Sequence, residues 1–332
     1  MDERDRVSWR RSFGRWVCAA LAAWSAAGCA PGEATAPARY PIAIERGTLV
    51  DAARGWDDGG TWVATREVPL QVYAPDLASG GPFPVVLMSH GLGGDVDGTA
   101  YLGEALAARG SVVVAIQHHR SDAAYLAAHG SLALLAAASE PATRLLRPQD
   151  LSFVLDALAR GETGVALLAR ERLDLGRAAV LGHSFGAFTA LAGVGATFDG
   201  GTDASDDRLD CAVAYSPQGP GTLGSDESSW DELVRPTLTL AGTEDTSPGT
   251  PDAAARRIPF DRMPATGFKY HATLVGATHA DFGNEGATYH PWIEELTIAF
   301  LDACLRGDGA ARAWLDAAAI EDETDAVVLE HR

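Results

Sequence analysis

Three side chains far apart in this chain have the types that acyl-transfer chemistry requires: a serine, a histidine and an aspartate. Ser184 stands in "RAAVLGHSFGAFTALAG", where a β-branched and apolar run passes into an alanine-rich one, with Gly182 two residues before it and Gly186 two after. Such a turn thrusts a hydroxyl out at the end of a strand and leaves glycines where neighbouring backbone must come close. A serine hydroxyl is a poor nucleophile until a base takes its proton, so an imidazole has to lie within hydrogen-bond reach. Of nine histidines, His279 in "LVGATHADFG" has the right place, in a loop directly after the last long strand, late in the chain. His90 and His183 flank other motifs and are expected to orient backbone, and His271 lies within a strand.

A base in this role needs an acid that fixes its tautomer and stabilises the imidazolium. "TLTLAGTEDTSP" offers Asp245 just after a strand, with Glu244 beside it, and Asp210 is the alternative acid. Capping of the following turn is the competing role for Asp245. The glycines of "MSHGLGGDVDG" let the backbone curl so that Leu92 N–H, with Phe185 N–H after the serine, can form an oxyanion hole. That loop matches neither a P-loop, since Lys269 is the only lysine in the chain, nor a dinucleotide fingerprint, and no zinc pattern such as H-E-x-x-H occurs. No cofactor and no metal are expected.

The elements that must position these groups are read from alternating short β-branched runs and longer alanine- and leucine-rich segments, the pattern of an α/β fold with a mostly parallel central sheet and helices on both faces. Strands are expected at 83–91, 111–118, 178–184, 211–216, 236–242 and 269–277, and helices at 99–109, 147–160, 185–196 and 291–305. An antiparallel pair, "RGTLVDA" and "TREVPLQVYAP", opens the sheet. Longer insertions at 121–146 and 217–233 are expected to wall the ligand pocket, with Tyr125, Trp230 and several leucines as lining or core. "AYLAAHGSLALLAA", broken by Gly130, reads as lid or core.

Residues 1–28 read as an export signal: arginines, a short apolar run from Trp16 to Ala27 and small residues before Cys29. "RRSFGR" resembles a twin-arginine signal and "AAGC" a lipobox that would place a lipid anchor on Cys29, giving a periplasmic or membrane-anchored lipoprotein, or otherwise a secreted protein. Residues 29–41 read as a flexible tether, 42–318 as one domain and 319–332 as a peripheral tail. In an exported chain Cys211 and Cys304 are either bridged or two small buried hydrophobes. The formal charge of -19 becomes more negative once the signal's five arginines and three acids are removed. That balance disfavours nucleic acid and anionic lipid surfaces and favours a neutral small-molecule substrate.

At the level of blocks, "MSHGLGGDVDGTAYLGEALAARGSVVVAIQH", "RPQDLSFVLDAL", "VLGHSFGAFTAL", "AVAYSPQGPG", "LAGTEDTSP" and "GATHADFG" resemble the α/β-hydrolase superfamily. Within it the likeness is to the group related to dienelactone hydrolases and platelet-activating-factor acetylhydrolases, over about residues 45–305. The resemblance implies Ser184, Asp245 and His279 as a triad, Leu92 and Phe185 as oxyanion donors, and ester substrates with short, modified or lipid-like acyl chains. Two departures stand out. In the acetylhydrolases the acid follows the strand matched by "CAVAYS", where this chain has Ser216, and dienelactone hydrolases carry a cysteine where it has Ser184. A serine carboxylester hydrolase is expected, with a lipase or polyester hydrolase as a variant and a non-catalytic binding or surface protein of the same fold as the alternative.

Overall fold

The computed structural model describes residues 39–332 other than Pro251 and Glu285. The expected signal, its twin-arginine and lipobox motifs, Cys29 and most of the tether lie outside the described residues. Tyr40, expected in the tether, packs edge-on against Phe83 and its N–H donates to Ala108 O at 2.8 Å, so this residue belongs to the folded domain.

Eleven strands are described: β1 (Ile42–Asp51), β2 (Trp56–Asp58), β3 (Thr61–Val63), β4 (Arg66–Pro75), β5 (Phe83–Ser89), β6 (Val112–Ile116), β7 (Leu173–His183), β8 (Cys211–Tyr215), β9 (Thr237–Glu244), β10 (Lys269–Thr278) and β11 (Val327–His331). Nine of them form one sheet in the order β1-β4-β6-β5-β7-β8-β9-β10-β11, and β2 and β3 form a small hairpin in the connection between β1 and β4. Strands β5 to β10 run parallel, and β1–β4, β4–β6 and β10–β11 pair antiparallel. This is the expected α/β-hydrolase architecture.

The continuous apolar strands have a direct physical reading. Val85, Leu87, Val180, Ala212 and Ala214 belong to one buried cluster, while Val86, Met88, Leu181, Val213 and Tyr215 belong to another. Successive side chains leave opposite faces of a strand, so both faces are covered and there is no polar side to show. Helices α3 (Pro141–Arg160) and α4 (Phe185–Gly193) cover the first face through Leu151, Val154, Leu155, Ala187 and Leu191. Helices α1 (Ala100–Ala108), α6 (His290–Arg306) and α7 (Gly309–Asp316) cover the second, with Leu102, Leu106, Ile293, Phe300 and Leu315. Helix α2 (Ala123–Ala138) is broken at Gly130, whose φ of 82° and ψ of 170° are not helical, and α5 (Ile258–Arg262) is a single short turn. Among the described residues no helix is long and apolar enough to cross a membrane.

Two expectations need correction. Residues 319–332 are not peripheral, because Val327 and Leu329 are buried and Val327–His331 is paired to β10 as the sheet's edge. The acidic "EDETD" that suggests a solvated tail occupies the turn before that strand. Helix α3 starts at Pro141, not at Arg147. Pro148 reads as a helix-opening proline, yet the helix already runs from its own N-terminal proline and passes through it. Cys211 and Cys304 are joined in a disulfide that ties β8 to α6.

The chain leaves β5 for β6 on one side and returns to β7 on the other. The crevice beyond the carboxyl ends of β5 and β7 is therefore the switch point at which ligands gather in open sheets of this kind.

Candidate active site

Ser184 occupies the turn from β7 into α4 with φ 56° and ψ -117°, backbone that side-chain-bearing residues rarely adopt. Its flanking glycines are demanded by contact. A Cβ on Gly182 would lie 2.3 Å from Gly186 O, and one on Gly186 would lie 1.8 Å from Ser89 O. Ser184 N–H donates to Tyr215 O at 2.9 Å, which pins the turn to the end of β8.

His279 follows β10 and opens a short turn closed by a capping box between Thr278 and Asp281. A register irregularity between Leu274 and Thr278 bends the end of β10. Next to it, a Cβ on Gly242 would come within 1.9 Å of Ala277 O, so β9 and β10 press together where Asp245 and His279 emerge. The result is a continuous relay: His279 Nδ1 lies 2.8 Å from Asp245 Oδ1 and His279 Nε2 lies 3.0 Å from Ser184 Oγ. With Nδ1–H donated to the carboxylate, Nε2 presents its lone pair to the serine hydroxyl. Burial works to raise Asp245, but the hydrogen bond with His279 and the charge of Arg256 outweigh it, and the carboxyl is held below the usual carboxylate range.

Arg256 is fully buried behind this pair. Its Nε is 3.2 Å from Asp245 Oδ1, Nη1 donates to Ser216 O at 2.9 Å and Nη2 to Ser247 Oγ at 2.7 Å. Nη2 also approaches His279 Nδ1 at 3.2 Å. Since the proton on Nδ1 is directed at Asp245, this last contact is a close approach of two donors, with the carboxylate between them in charge.

The loop after β5 lies against the serine: a Cβ on Gly91 would be 3.5 Å from Ser184 Cβ. Gly93, at φ 75°, donates to Ser121 O at 2.8 Å, and Gly94 donates to Gly91 O at 3.1 Å, closing the curl. Leu92 and Phe185 both face the crevice beside Ser184 and His279. Beneath the loop lies a buried polar network. His90 Nδ1–H donates to Gly91 O at 2.6 Å while Nε2 accepts from His118 N–H at 3.0 Å, so His90 orients backbone. Arg147, fully buried, donates to His90 O, to Ser89 Oγ at 3.0 Å, to Ser121 Oγ and Thr189 Oγ1 at 2.8 Å, and stands over the Phe185 ring at 4.3 Å. One guanidinium thus ties the Leu92 loop to the first turns of α4.

Ser184 and His279 open onto a cavity of about 710 Å³. Both insertions contribute to it: Leu126, Leu134 and Leu135 from α2, and Gln218, Thr222 and Leu223 from the segment after β8. Tyr125 and Trp230 do not line this cavity: Tyr125 packs in the cluster of Leu134, Leu126 and Leu92, which do, and Trp230 lies in the core beneath the sheet's first face. Asp210 is at the opposite end of β8 and caps Ala178 N–H at 3.0 Å, and Glu244 is exposed, so neither meets His279. The His183 ring lies tilted at 42° to that of His279, centroids 4.7 Å apart, and His271 contacts Thr239 Oγ1 at 2.8 Å. The spacing G-x-G-x-x-G does occur, at Gly219, Gly221 and Gly224. It lies in an irregular segment that opens no helix, so it lacks the helix N-terminus a pyrophosphate needs. Arg147, Arg256 and Gln218 were not singled out from the sequence. Their only local signals, an arginine before a helical proline and a paired arginine after "PDAA", are those of ordinary surface residues.

The family model described as platelet-activating factor acetylhydrolase, isoform II, matches residues 61–133. The matched stretch runs from β3 through β5, the Leu92 loop and β6 into α2, and stops short of Ser184, Asp245 and His279. No curated protein matches the chain. The order of the sheet is that of the α/β-hydrolase fold, and over residues 61–133 the chain is similar to a family of ester hydrolases of that fold.

Proposed function

We propose that this α/β-hydrolase is a serine carboxylester hydrolase that works through an acyl-enzyme. The observation that carries the reading is the position of His279, in contact with Ser184 through Nε2 and with Asp245 through Nδ1. In the first half-reaction Ser184 Oγ attacks the ester carbonyl as His279 Nε2 takes its proton, and the carbonyl oxygen becomes an oxyanion facing the N–H groups of Leu92 and Phe185. Collapse of the tetrahedral intermediate breaks the bond to the alcohol oxygen, which leaves with the proton held on His279. Water then adds to the acyl-enzyme by the same route, and the carboxylic acid departs with Ser184 restored. The α4 N-terminus behind Ser184 favours the negative charge that develops.

The substrate in this reading is a neutral ester with a short, modified or lipid-like chain, in keeping with the leucine-lined wall of the cavity. Export is part of the proposal, with a lipid anchor on Cys29, and the Cys211–Cys304 disulfide supports an oxidising compartment. A fluorophosphonate probe tests the chemistry: it should label the native protein and not Ser184→Ala, and p-nitrophenyl esters should be cleaved by the first and not by the second. An unlabelled native protein, beside a reactive control esterase, would favour a non-catalytic binding protein. Membrane fractionation of cells expressing the native chain and Cys29→Ala tests the anchor.

A further inference from the structure

A second serine at the same rim takes no part in the proton relay. Ser216 follows β8 directly, and the residue before it, Tyr215, accepts the Ser184 N–H through its carbonyl at 2.9 Å. Like Ser184, Ser216 carries a side chain on backbone of positive φ, here 53°. Glycine takes that conformation without strain, so a serine kept in it calls for a use of its hydroxyl. The main chain of Ser216 is already engaged: its N–H donates to Leu240 O at 2.7 Å, and its carbonyl accepts from Arg256 Nη1 at 2.9 Å. The hydroxyl is fully buried and has no hydrogen-bond partner among the described residues.

Asp245 presents the matching defect. Its Oδ1 meets both His279 Nδ1 at 2.8 Å and Arg256 Nε at 3.2 Å, whereas its buried Oδ2 has no donor among the described residues. One guanidinium brings the two residues together, since Arg256 reaches the carboxylate through Nε and Ser216 O through Nη1. The carboxylate also feels the hydroxyl: burial works to raise Asp245, and Ser216 adds to His279 and Arg256 in holding it down. A buried carboxylate oxygen without a donor is unfavourable, and so is a buried hydroxyl without an acceptor. Rotation about the Cα–Cβ and Cβ–Oγ bonds re-aims a serine hydroxyl, so pairing the two asks nothing of the backbone.

We propose that Ser216 is a positioning residue whose Oγ–H donates to Asp245 Oδ2 during turnover and fixes the carboxylate in the orientation that faces His279. This rests on the ester-hydrolase reading. Arg256 and His279 both act on Oδ1, so a donor on Oδ2 is what completes the hold on both oxygens. The demand is greatest in the transition state, when His279 carries the proton from Ser184 and the imidazolium needs an ionised, correctly aimed Asp245. The bond therefore supports kcat and leaves substrate affinity alone.

The test takes Ser216→Gly, which removes the hydroxyl yet suits the backbone, and Ser216→Cys, which keeps a side chain of similar size with a weaker donor. Ester kinetics are followed over a series of pH values. Ser216→Gly should keep KM within about twofold and lose about tenfold in kcat. Its acid limb in kcat/KM should move to higher pH, because a carboxylate short of one donor strengthens the hold on a proton, its own or that on His279. Ser216→Cys should fall between Ser216→Gly and the native protein. The other charged and titratable groups here are Arg256, His279 and, against the His279 ring, His183, which burial holds at about 3 and so keeps neutral. A purely structural serine would change the thermal midpoint without moving the acid limb. Native kcat in Ser216→Gly, or a fall in kcat with the acid limb unmoved, overturns the proposal. Should neither variant fold, a crystal structure of the native protein with a phosphonate on Ser184 decides. Ser216 Oγ at about 2.5–3.0 Å from Asp245 Oδ2 supports the inference, and a water between them, or Oγ turned elsewhere, overturns it. A native protein that takes up no phosphonate and cleaves no ester defeats the hydrolase reading itself, whereas native kinetics in Ser216→Gly defeat only the role of Ser216.

Discussion

Arg256 and Asp245 are both fully buried, with Nε 3.2 Å from Oδ1, so the carboxylate that meets His279 is held from behind by a cation that has no access to water. Removing one member of a buried pair leaves the other uncompensated, at a cost of about 3–5 kcal/mol. Arg256→Met is therefore expected to lower the thermal midpoint and to reduce kcat by about tenfold or more, as Asp245 either takes up a proton or turns away from His279. Arg256→Lys keeps the charge but cannot hold Ser216 O and Ser247 Oγ together with Asp245, and should fall between the two. Calorimetry with ester kinetics on the three proteins checks this, and unchanged kcat in Arg256→Met would remove the guanidinium from the account.

Arg147 stands to the proposed oxyanion donors, Leu92 and Phe185, as Arg256 does to the proposed acid. It bonds both His90 O, at the start of the Leu92 loop, and Thr189 Oγ1 in α4, so the separation of Leu92 N–H from Phe185 N–H depends on it. Donors misplaced by about 1 Å at the reacting centre can cost roughly a hundredfold in rate. Thr189→Val, which deletes one of these bonds with little change of volume, is expected to lower kcat with KM nearly unchanged, and Arg147→Lys to do so more strongly. Weaker inhibition by a phosphonate, with product-acid binding unaffected, would mark the loss as one of transition-state binding. Parallel loss of both affinities would make the effect a general loosening.

Stability should fall earlier on acidification than carboxylate titration alone would bring. Burial pulls His118 and His271 down to about 4 and His183 to about 3, with Arg147, Arg257 and His279 adding to the effect in turn. His90 is driven well below its usual value by burial and Arg147. The unfolded chain binds these protons near pH 6.5 and the folded one does not, so the stabilisation is complete above about 6.5 and is lost as pH falls from there toward 4. Asp122, held at about 2 against its own burial by His119, Tyr125 N–H and Gln117, contributes above the usual carboxylate range and loses its share only below that. Urea midpoints at pH 8, 6.5, 5 and 4 should decline across the upper window, and His271→Asn should flatten part of that decline. A level midpoint from pH 7 to 5 contradicts it.

What could be read in the sequence follows from how local each signal is. Ser184, Asp245 and His279 each come immediately after an apolar strand, and a parallel sheet brings the carboxyl ends of its strands to one rim, so their convergence was legible from order and spacing alone. Arg147 and Arg256 were not, because an arginine within a helix reads as solvated, and their burial depends on acceptors 9 to 58 residues away. Gln218 sits in a segment without periodicity, where nothing local distinguishes a wall of the cavity from a surface turn. Val327–His331 was missed for the opposite reason: its alternation was present, but the acids before it suggested a solvated end, and only the unpaired edge of β10 decides that it becomes a strand.

The Cys211–Cys304 bridge closes a loop of 93 residues that contains β8, β9, β10 and most of α6. Within that loop lie Asp245 and His279, whereas Ser184 lies outside it. By chain-entropy reasoning a loop of this length is worth about 4.6 kcal/mol, restricting the unfolded chain. Cys211→Ser and Cys304→Ser should each lower the thermal midpoint, and reductant should bring the native protein to the same value without affecting the variants further. Because the bridge joins β8 to the helix that covers it and touches none of the three residues, activity at low temperature should persist. A loss of ester cleavage on reduction under conditions where circular dichroism is unchanged would mean that the bridge also holds the rim on which Asp245 and His279 meet.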